Sequence, residues 1–453
     1  MGKSAGFCLS CGCALEIDDG VRRTVCPECG GEVIAARAKQ ALQTFLRTAE
    51  NTYYRELFPR AVERRAEEGL ANDDFDIVGN YLRKYRGGNT DVVIPVGVTE
   101  IDPHAFENDE NVALDIERVT IPEGVTCLPE NLFSRCKYLK TVILPLSLTT
   151  ISDFTFLWCT SLEEIRLPDN VTAIGNFAFK GCTSLASITL PRKIIGIGKE
   201  AFSGCTALGR VEFITQSLIF GERAFAGCTA LQEIRIPDGV TELGKAVFEN
   251  CTALKTANIP PKVKRVQGLF RGCTALWAVE WNEALQEIGK NTFRDCTSLV
   301  YFSVCGRKNV PYAKAVEDTA EGKKIAVLPL PENLQRIGEK AFMGALQLEG
   351  VFEISETVQF VGENAFADCR VRVVICGAKQ RTAKWDRGWK NGIYVLYQET
   401  ESKKQSILQE MRQKQQQAES LRGMFVRKRR EELEAEIASL QNRLEALLQE
   451  DAE

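Results

Sequence analysis

Histidine is almost absent from this sequence, since His104 is the only one among 453 residues. Catalysis and metal binding by histidine need that side chain beside suitable partners, which the surrounding sequence does not provide. The phosphate-binding patterns GxxxxGK(S/T) and GxGxxG are also missing, and acidic residues occur only as ordinary surface residues. We therefore predict a protein that is not an enzyme.

Long apolar runs and a strong excess of one charge are missing as well. No window approaches the roughly 18 apolar residues that predict a membrane-spanning helix. The net charge of −4 provides no bulk electrostatic field for nucleic acid or an anionic membrane. Residues 1–20 contain no apolar signal core, so we expect a cytoplasmic protein of bacterial type.

Cysteine, in contrast, is abundant, with 17 residues in the chain. Nine of these cysteines lie three residues after a phenylalanine that recurs about every 23 residues. A fixed period of this length predicts a solenoid, in which each coil buries its apolar face against its neighbours. The aligned phenylalanines are Phe106, Phe133, Phe156, Phe179, Phe202, Phe225, Phe248, Phe270, Phe293, Phe342 and Phe366.

One copy of the repeat illustrates the predicted coil. The stretch LEEIRLP, which begins at Leu162, is too short for a helix and ends in proline, so we interpret it as a strand. Val171 and Ile174 would line the far side of the coil, and Phe179 would fill its widest part. Residues 310–331 replace one arc of the repeat, and we interpret that segment as containing a short helix.

The phrase IG-x-x-AF-x-x-CTSL-x-x-I-x-LP resembles the repeats of the BspA-like leucine-rich repeat family, from about Asp91 to Tyr397. The lead-in LRKYRGGNTDVVIPVGVTEI and the segment around Trp385 and Trp389 are similar to the flanks of that family's repeats. The resemblance implies an α/β repeat solenoid, right-handed, with a parallel sheet on its concave face. Most known members are exported surface proteins, so a cell-surface or secreted adhesin is the alternative to the cytoplasmic protein.

The recurring cysteines allow three interpretations. Neighbouring coils would bring their Cα atoms about 4.8 Å apart, within disulfide range, but parallel side chains give poor bridge geometry. A metal ladder lacks histidine and acidic residues at the same register. We therefore predict reduced, buried thiols that act as small apolar side chains with a weak donor for the turn backbone.

A second cysteine pattern lies at the N-terminus. Cys8 and Cys11 form one CxxC pair, Cys26 and Cys29 form another, and 14 residues separate the pairs. Four thiolates at this spacing are typical of a structural, tetrahedral Zn²⁺ site. We predict a zinc ribbon in residues 1–34, with Cys13 as a spare ligand. We interpret the ribbon first as an element that stabilises folding. A zinc-ribbon regulator that associates with nucleic acid is the third possible function of the chain, after the scaffold and the adhesin.

The rest of the predicted organisation follows from composition and periodicity. Residues 35–90 form a neck or N-terminal cap with helical spacing over its first half, and residues 91–397 form the solenoid. Residues 398–453 form an amphipathic helix or short coiled coil, which pairs two chains into a homodimer. The alternative is a single helix folded back on its own chain. The heptad seam consists of Leu433, Ile437, Leu440, Leu444 and Leu447.

Function must then lie in the surface of the solenoid. Opposite charges on neighbouring strands, such as Arg210 and Glu233, compensate each other as far as Arg235, which argues against a nucleic-acid track. Beyond that point the outward positions are less charged, and aromatic residues dominate binding energy at interfaces. We therefore predict a scaffold that binds a protein or peptide, with no membrane contact. The predicted partner-binding residues are Asn258, Trp277, Glu280, Tyr301 and Ser303.

Overall fold

Parallel β-strands make up most of the described structure, which is a computed structural model. The chain divides into two compact units, Met1–Leu254 and Lys255–Glu453. The described residues are 3–7, 14–18, 23–25, 32–34, 74–107, 112–304, 315–317, 324–328, 330–375, 385–386, 388, 394–397, 406–414, 416–417 and 433–443.

Two short hairpins form in the segment for which a zinc ribbon is predicted. Their strands are β1 (Lys3–Phe7), β2 (Ala14–Asp18), β3 (Arg23–Val25) and β4 (Glu32–Ile34). β1 pairs antiparallel with β2, and β3 pairs antiparallel with β4. In the sequence, one CxxC pair falls between the two strands of each hairpin, and all four cysteines lie outside the described residues.

The first unit continues with a regular series of short strands. They are β5 (Phe75–Val78), β6 (Tyr81–Tyr85), β7 (Asp91–Val93), β8 (Glu100–Ile101), β9 (Arg118–Thr120), β10 (Cys127–Leu128), β11 (Thr141–Ile143), β12 (Thr150–Ile151), β13 (Glu164–Ile165), β14 (Ala173–Ile174), β15 (Ser187–Leu190), β16 (Gly196–Ile197), β17 (Arg210–Phe213), β18 (Ile219–Phe220) and β19 (Glu233–Ile234). Each coil therefore contributes two strands, and the strand predicted at Leu162 appears as β13.

These strands form parallel sheets on two sides of each coil. β7, β9, β11 and β13 pair in chain order, and β15 pairs with β17 in the same register. On the other side, β10, β12, β14, β16 and β18 pair in chain order, although each contains only two residues. The second side was not predicted as a strand because two residues are too few to show an alternating pattern.

A hairpin of β5 and β6 covers the first coil. β6 pairs parallel with β8, and Leu82 is buried. The Tyr85 ring lies 5.0 Å from Phe75 and 6.1 Å from Phe106, measured between ring centroids. The hairpin therefore shields the apolar end of the coil, a role that the sequence analysis assigned to the helical part of residues 35–90.

The second unit repeats this plan with one irregular sheet. Its strands are β20 (Thr256–Asn258), β21 (Arg265–Val266), β22 (Ala278–Trp281), β23 (Glu287–Ile288), β24 (Tyr301–Val304), β25 (Ala315–Glu317), β26 (Lys324–Leu328), β27 (Arg336–Ile337), β28 (Glu349–Ile354), β29 (Phe360–Val361), β30 (Arg370–Ile375) and β31 (Tyr394–Tyr397). β20, β22 and β24 pair in parallel, as do β21, β23, β27 and β29. Two helices follow, α1 (406–414) and α2 (433–443).

The short helix predicted within residues 310–331 is wrong for the residues described there. β25 runs antiparallel to β26, and β26 then pairs parallel with β28. Val316, Ile325 and Val327 are β-branched residues, which favour strands. The extra residues therefore extend a sheet instead of forming a helix.

Stacked phenylalanines form the core of the first unit. The aligned rings are fully buried, and successive centroids are 5.0–5.8 Å apart from Phe106 to Phe248. In the second unit the spacing is 5.8 Å from Phe270 to Phe293 and 5.3 Å from Phe293 to Phe342. The prediction that this residue fills every coil is confirmed. Within the described part of the chain, no helix has the length and apolar character needed to cross a membrane.

Candidate interaction surfaces

The corner of the coil that follows each core phenylalanine is held by its cysteine. The Cys159 thiol donates to the backbone carbonyl of Phe133 at 3.0 Å, and the Cys205 thiol donates to that of Phe179 at 3.1 Å. Cys296 makes the same contact with Phe270 in the second unit, also at 3.1 Å. Each of these carbonyls also accepts from a backbone amide of its own coil, as Phe133 O does from Cys136 N at 3.0 Å, so the thiol adds a second hydrogen bond that links neighbouring coils.

These thiols are in an environment that makes them unreactive. All nine repeat cysteines are free and buried, and burial raises the pKa of Cys205 and of Cys251 to about 12. A thiol that stays protonated is a poor nucleophile and a poor metal ligand. The prediction of shielded thiols is confirmed for these residues, and their reduced state stays a prediction. Cys127 is the one exposed thiol among the described cysteines.

Left-handed backbone flanks the core phenylalanine in the coils from Phe133 to Phe366. Positive φ values occur two residues before it, as at Phe154 (58°), and two residues after it, as at Trp158 (59°) and Gly181 (75°). The turn directs alternate N–H groups toward the next coil. The amide of Phe156 donates to Ala178 O at 2.7 Å, and that of Trp158 donates to Lys180 O at 2.8 Å. The coil geometry therefore demands this conformation at both positions.

Aromatic residues occupy three of these left-handed positions in neighbouring coils of the first unit. Phe154 and Phe177 stack with their centroids 5.0 Å apart. Trp158 is 47% exposed, and its ring lies over Gly181, where an added Cβ would be only 2.4 Å from the ring. We call Phe154, Trp158 and Phe177 the aromatic rim. This rim was not predicted from the sequence, although Trp158 stands where the next three coils have Gly181, Gly204 and Gly227.

A cleft adjoins the aromatic rim and has a volume of about 560 Å³. Its walls come from three consecutive coils and include both charged and apolar side chains. His104 Nδ1 lies 2.8 Å from Glu107 Oε2, and Tyr138 is 55% exposed. The lining residues are His104, Glu107, Val112, Ala113, Leu114, Asp115, Asn131, Ser134, Arg135, Lys137, Tyr138 and Leu157.

The predicted partner-binding residues lie together on β20, β22 and β24 of the second unit. Asn258, Glu280 and Ser303 are aligned by the sheet register. Trp277 is 44% exposed and its ring lies 6.2 Å from that of Tyr301. Asn258 is only 4% exposed, so it is the member of this set with the least access to a partner. Partner binding by these residues stays a prediction.

The charges on the first unit's outward strand positions pair within strands. Arg166 lies 2.8 Å from Glu164, and Arg210 lies 3.6 Å from Glu212. The sequence analysis had placed the compensation between neighbouring strands. Residues two apart on a strand share one face, so the compensation also forms inside a single coil.

The helices at the C-terminus contact each other within one chain. Lys414 lies 2.5 Å from Glu436, which joins α1 to α2. Ile407, Leu433 and Leu440 are buried in the single chain. Leu433 and Leu440 belong to the predicted seam, so this part of the seam is already covered without a second copy. Ile437 is half-buried, and the other two seam residues, Leu444 and Leu447, lie outside the described residues.

Comparison with known proteins gives one family and several similar structures. The profile of the BspA type leucine rich repeat region (6 copies) matches residues 76–209, 149–268, 210–312 and 313–382. No curated protein matches the sequence.

Several similar solved structures are of bacterial proteins. A leucine-rich repeat protein of Bacteroides ovatus ATCC 8483 is 22% identical, with coverage of 71% of this chain and 97% of that one and a TM-score of 0.37. A leucine rich cell surface protein of Faecalibacterium prausnitzii A2-165 is 25% identical over 70% and 96%, with a TM-score of 0.40. The pneumococcal vaccine antigen PcpA is 16% identical over 72% and 98%, with a TM-score of 0.37.

Proposed function

Because the chain belongs to the BspA-type leucine-rich repeat family, we propose that it binds a protein or peptide partner through its repeat surface and has no catalytic activity. Proteins with these repeats are generally interaction or surface proteins, and the family is typically non-enzymatic. The observation that carries the proposal is the exposed Trp277 ring beside Tyr301. Tryptophan and tyrosine contribute more binding energy at interfaces than most residues.

The contact is proposed to centre on Trp277 and Tyr301. Their backbones are held by the same sheet, since the Tyr301 amide donates to Trp277 O at 2.9 Å. Beneath them, Trp281 stacks on Phe302 with centroids 4.0 Å apart and is fully buried. The two outer rings thus sit on a rigid base and would lose little conformational entropy on binding.

Binding can be tested once a partner has been isolated with the wild-type chain as bait and identified by mass spectrometry. With the purified partner, Tyr301→Ala combined with Glu280→Lys should weaken binding by at least about tenfold, as expected for a hot spot. Glu164→Lys, an exposed acid on β13 in the first unit, is the control and should not change binding. Loss of binding in the control, with none in the double variant, would place the contact elsewhere.

The compartment of the partner is a second part of the proposal. BspA-type homologues are often cell-surface proteins, which favours the surface alternative over the cytoplasmic location expected from the composition. We propose a surface location as the better supported of the two. Labelling of intact cells with a membrane-impermeant reagent tests it, because a cytoplasmic protein would be modified only after lysis.

We also propose that Cys8, Cys11, Cys26 and Cys29 hold one structural Zn²⁺. The support is their spacing and their positions between the strands of two hairpins, an arrangement that suits a tetrahedral thiolate site. Cys26→Ser with Cys29→Ser should abolish stoichiometric zinc while the repeats still melt cooperatively. Zinc retained by this variant would refute the ligand set. No described residue favours the nucleic-acid alternative.

A homodimer through the C-terminal helices is the least supported part of the sequence prediction. We propose instead that α1 and α2 pack within their own chain, since Leu433 and Leu440 are already buried there. Light scattering at tens of micromolar distinguishes the two, because removal of residues 398–453 would change the number of chains per particle only for a dimer held by this segment.

A further inference from the structure

The charge and polarity of the cleft walls in the first unit differ from one coil to the next. The coil of Phe106 supplies Asp115 and the His104–Glu107 pair, whereas the coil of Phe133 supplies Arg135 and Lys137. The third coil supplies Leu157, and the next residue, Trp158, occupies on that coil the position that Arg135 has on the second. The sheet register aligns Arg118 with Thr141, which sets Asp115 beside Tyr138 of the next coil. Along the stack, the cleft therefore presents an anion, then cations, then an aromatic surface.

The charges of this cleft are available to a ligand. Asp115, Arg135 and Lys137 are all exposed, and none of the three has an ion-pair partner among the described residues of the chain. Some other outward charges of the unit are paired, as in Lys180 with Glu200 at 2.6 Å. Unpaired charges of opposite sign on neighbouring walls are a feature that the packing of the coils does not require.

The aromatic rim is also dispensable for the coil. At the position of Trp158, other coils have Gly181, Gly204 and Gly227, and at that of Phe154 they have Asn131, Asn291 and Asn364. Glycine and asparagine adopt left-handed backbone readily, whereas a bulky residue there is strained by roughly 1–2 kcal/mol. Three aromatic residues at such positions on two consecutive coils, the first of which supplies Leu157 to the cleft, point to selection for binding.

We propose that this cleft binds an extended peptide segment that presents a cation, a carboxylate and an aromatic side chain in that order. The cation would face Asp115, the carboxylate would face Arg135 and Lys137, and the aromatic side chain would stack on Trp158. Asn131 and Ser134 supply polar groups between these walls for the peptide main chain. The volume lies within the roughly 300–1,000 Å³ of ligand pockets.

The presence of both acidic and basic side chains in the cleft distinguishes between classes of ligand. A nucleic acid would stack on Trp158 and contact Arg135, but its phosphates would also meet Asp115 and Glu107. A polycation would meet Arg135 and Lys137. Only a ligand that carries a positive and a negative charge in a fixed order complements all three walls of the cleft. This site is separate from the Trp277–Tyr301 surface, and Trp277→Ala should leave it unchanged.

Two synthetic peptides of identical composition test the proposal on the full chain. The probe acetyl-KGEGW-amide has the proposed order, and acetyl-EGKGW-amide has the two charges exchanged. Saturation-transfer NMR on the peptide indole protons gives both affinities. The first peptide should bind at least about tenfold more tightly, the loss expected when two charges face like charges. Equal affinities, no detectable binding of the first peptide, or tighter binding of an oligothymidylate of eight nucleotides would overturn the proposal.

Variants at the cleft, with controls elsewhere in the same unit, separate binding from folding. Trp158→Gly and Arg135→Ser should each weaken binding of the first peptide by about tenfold, as for a stacked or charged anchor. Ile195→Ala and Arg192→Ser change exposed residues elsewhere in the same unit and should have no effect. If Trp158→Gly does not fold, Trp158→Asn replaces it, because asparagine occupies the equivalent position of another coil as Asn250. Unchanged binding in a folded Trp158 variant would refute the assignment.

Discussion

The coils around Phe156 and Phe202 are nearly identical inside and different outside. In both coils the core ring stacks on the next one with centroids 5.0–5.1 Å apart, and the cysteine donates to the preceding coil. The left-handed positions differ, because the first coil has Phe154 and Trp158 where the second has Glu200 and Gly204. The comparison shows that the interior fixes the coil while its outer corner is free to vary.

This difference separates two kinds of information in the sequence. The interior positions recur because every coil must fill the same cross-section, so they report on stability and carry nothing specific about a ligand. The outer corner has a strong backbone preference and no packing requirement. A residue there that opposes the backbone preference, such as Trp158, therefore indicates binding more strongly than any member of the repeat consensus.

The largest effect should come from the interior. Phe225 is fully buried between Phe202 at 5.1 Å and Phe248 at 5.8 Å. Phe225→Ala should lower the free energy of unfolding by about 3–5 kcal/mol, because it removes a large apolar side chain and leaves a cavity. Urea denaturation measures this loss. A change below about 1 kcal/mol would show that the stack does not stabilise the coils as described.

Two glycines at the same corner should sharpen the comparison. Gly204→Ala adds a Cβ in open space at a φ of 74°, so it should cost about 1–2 kcal/mol from backbone strain alone. Gly181→Ala has the same strain, and its Cβ also meets the Trp158 ring at 2.4 Å. It should therefore cost about 1 kcal/mol more, within the range found for overpacking.

A double-mutant cycle isolates the contribution of the tryptophan ring. In a Trp158→Gly background, the costs of Gly181→Ala and Gly204→Ala should become equal, because the ring that opposes the new Cβ is gone. Thermal denaturation of the wild type and the five variants supplies the values. A difference that persists without the ring would show that the two corners differ in backbone and not only in the residue above them.

The fold was predictable from sequence because its determinants recur in every coil. Phenylalanine and cysteine at fixed spacing identified the core, the free thiols and the strand of the first sheet. The second sheet escaped because Ala173–Ile174 and its equivalents are too short to show periodicity. The strand Ala315–Glu317 was mistaken for a helix because it occurs once, without a repeat to set its register.

The sites were less predictable than the fold. Trp277 and Tyr301 were identified from residue type alone, and the sequence does not show that Asn258 is buried. The cleft at Arg135 was missed because its walls come from three coils, and only their stacking brings Asp115 near Lys137. Trp158 did carry a signal, namely a departure from glycine, which becomes interpretable once the positive φ is known.

The buried thiols should give a smaller effect that depends on pH. Burial holds the pKa of Cys205 at about 12 in the folded chain, whereas the ordinary value is 9.0. The unfolded chain therefore loses this proton first, and stability should fall as the pH rises above about 9. The loss is roughly 1.4 kcal/mol per thiol for each pH unit. Cys205→Ser should reduce the slope of unfolding free energy against pH between 9 and 11, whereas Cys127→Ser, at an exposed thiol, should not.

The smallest effect should come from Trp158, and it is the sharpest test of the comparison. Trp158→Gly removes an exposed ring and relieves backbone strain at a φ of 59°, so the lost contact with Gly181 and the relief should nearly cancel. The free energy of unfolding should change by less than about 1 kcal/mol, the size of the strain itself. Calorimetry with and without the KGEGW peptide gives both values in one experiment. Wild type should gain stability with peptide and the variant should not, since a ligand stabilises only the state that binds it. A large loss of stability without peptide would mean that Trp158 serves the coil, and the distinction between a uniform interior and a functional outer corner would fail at this position.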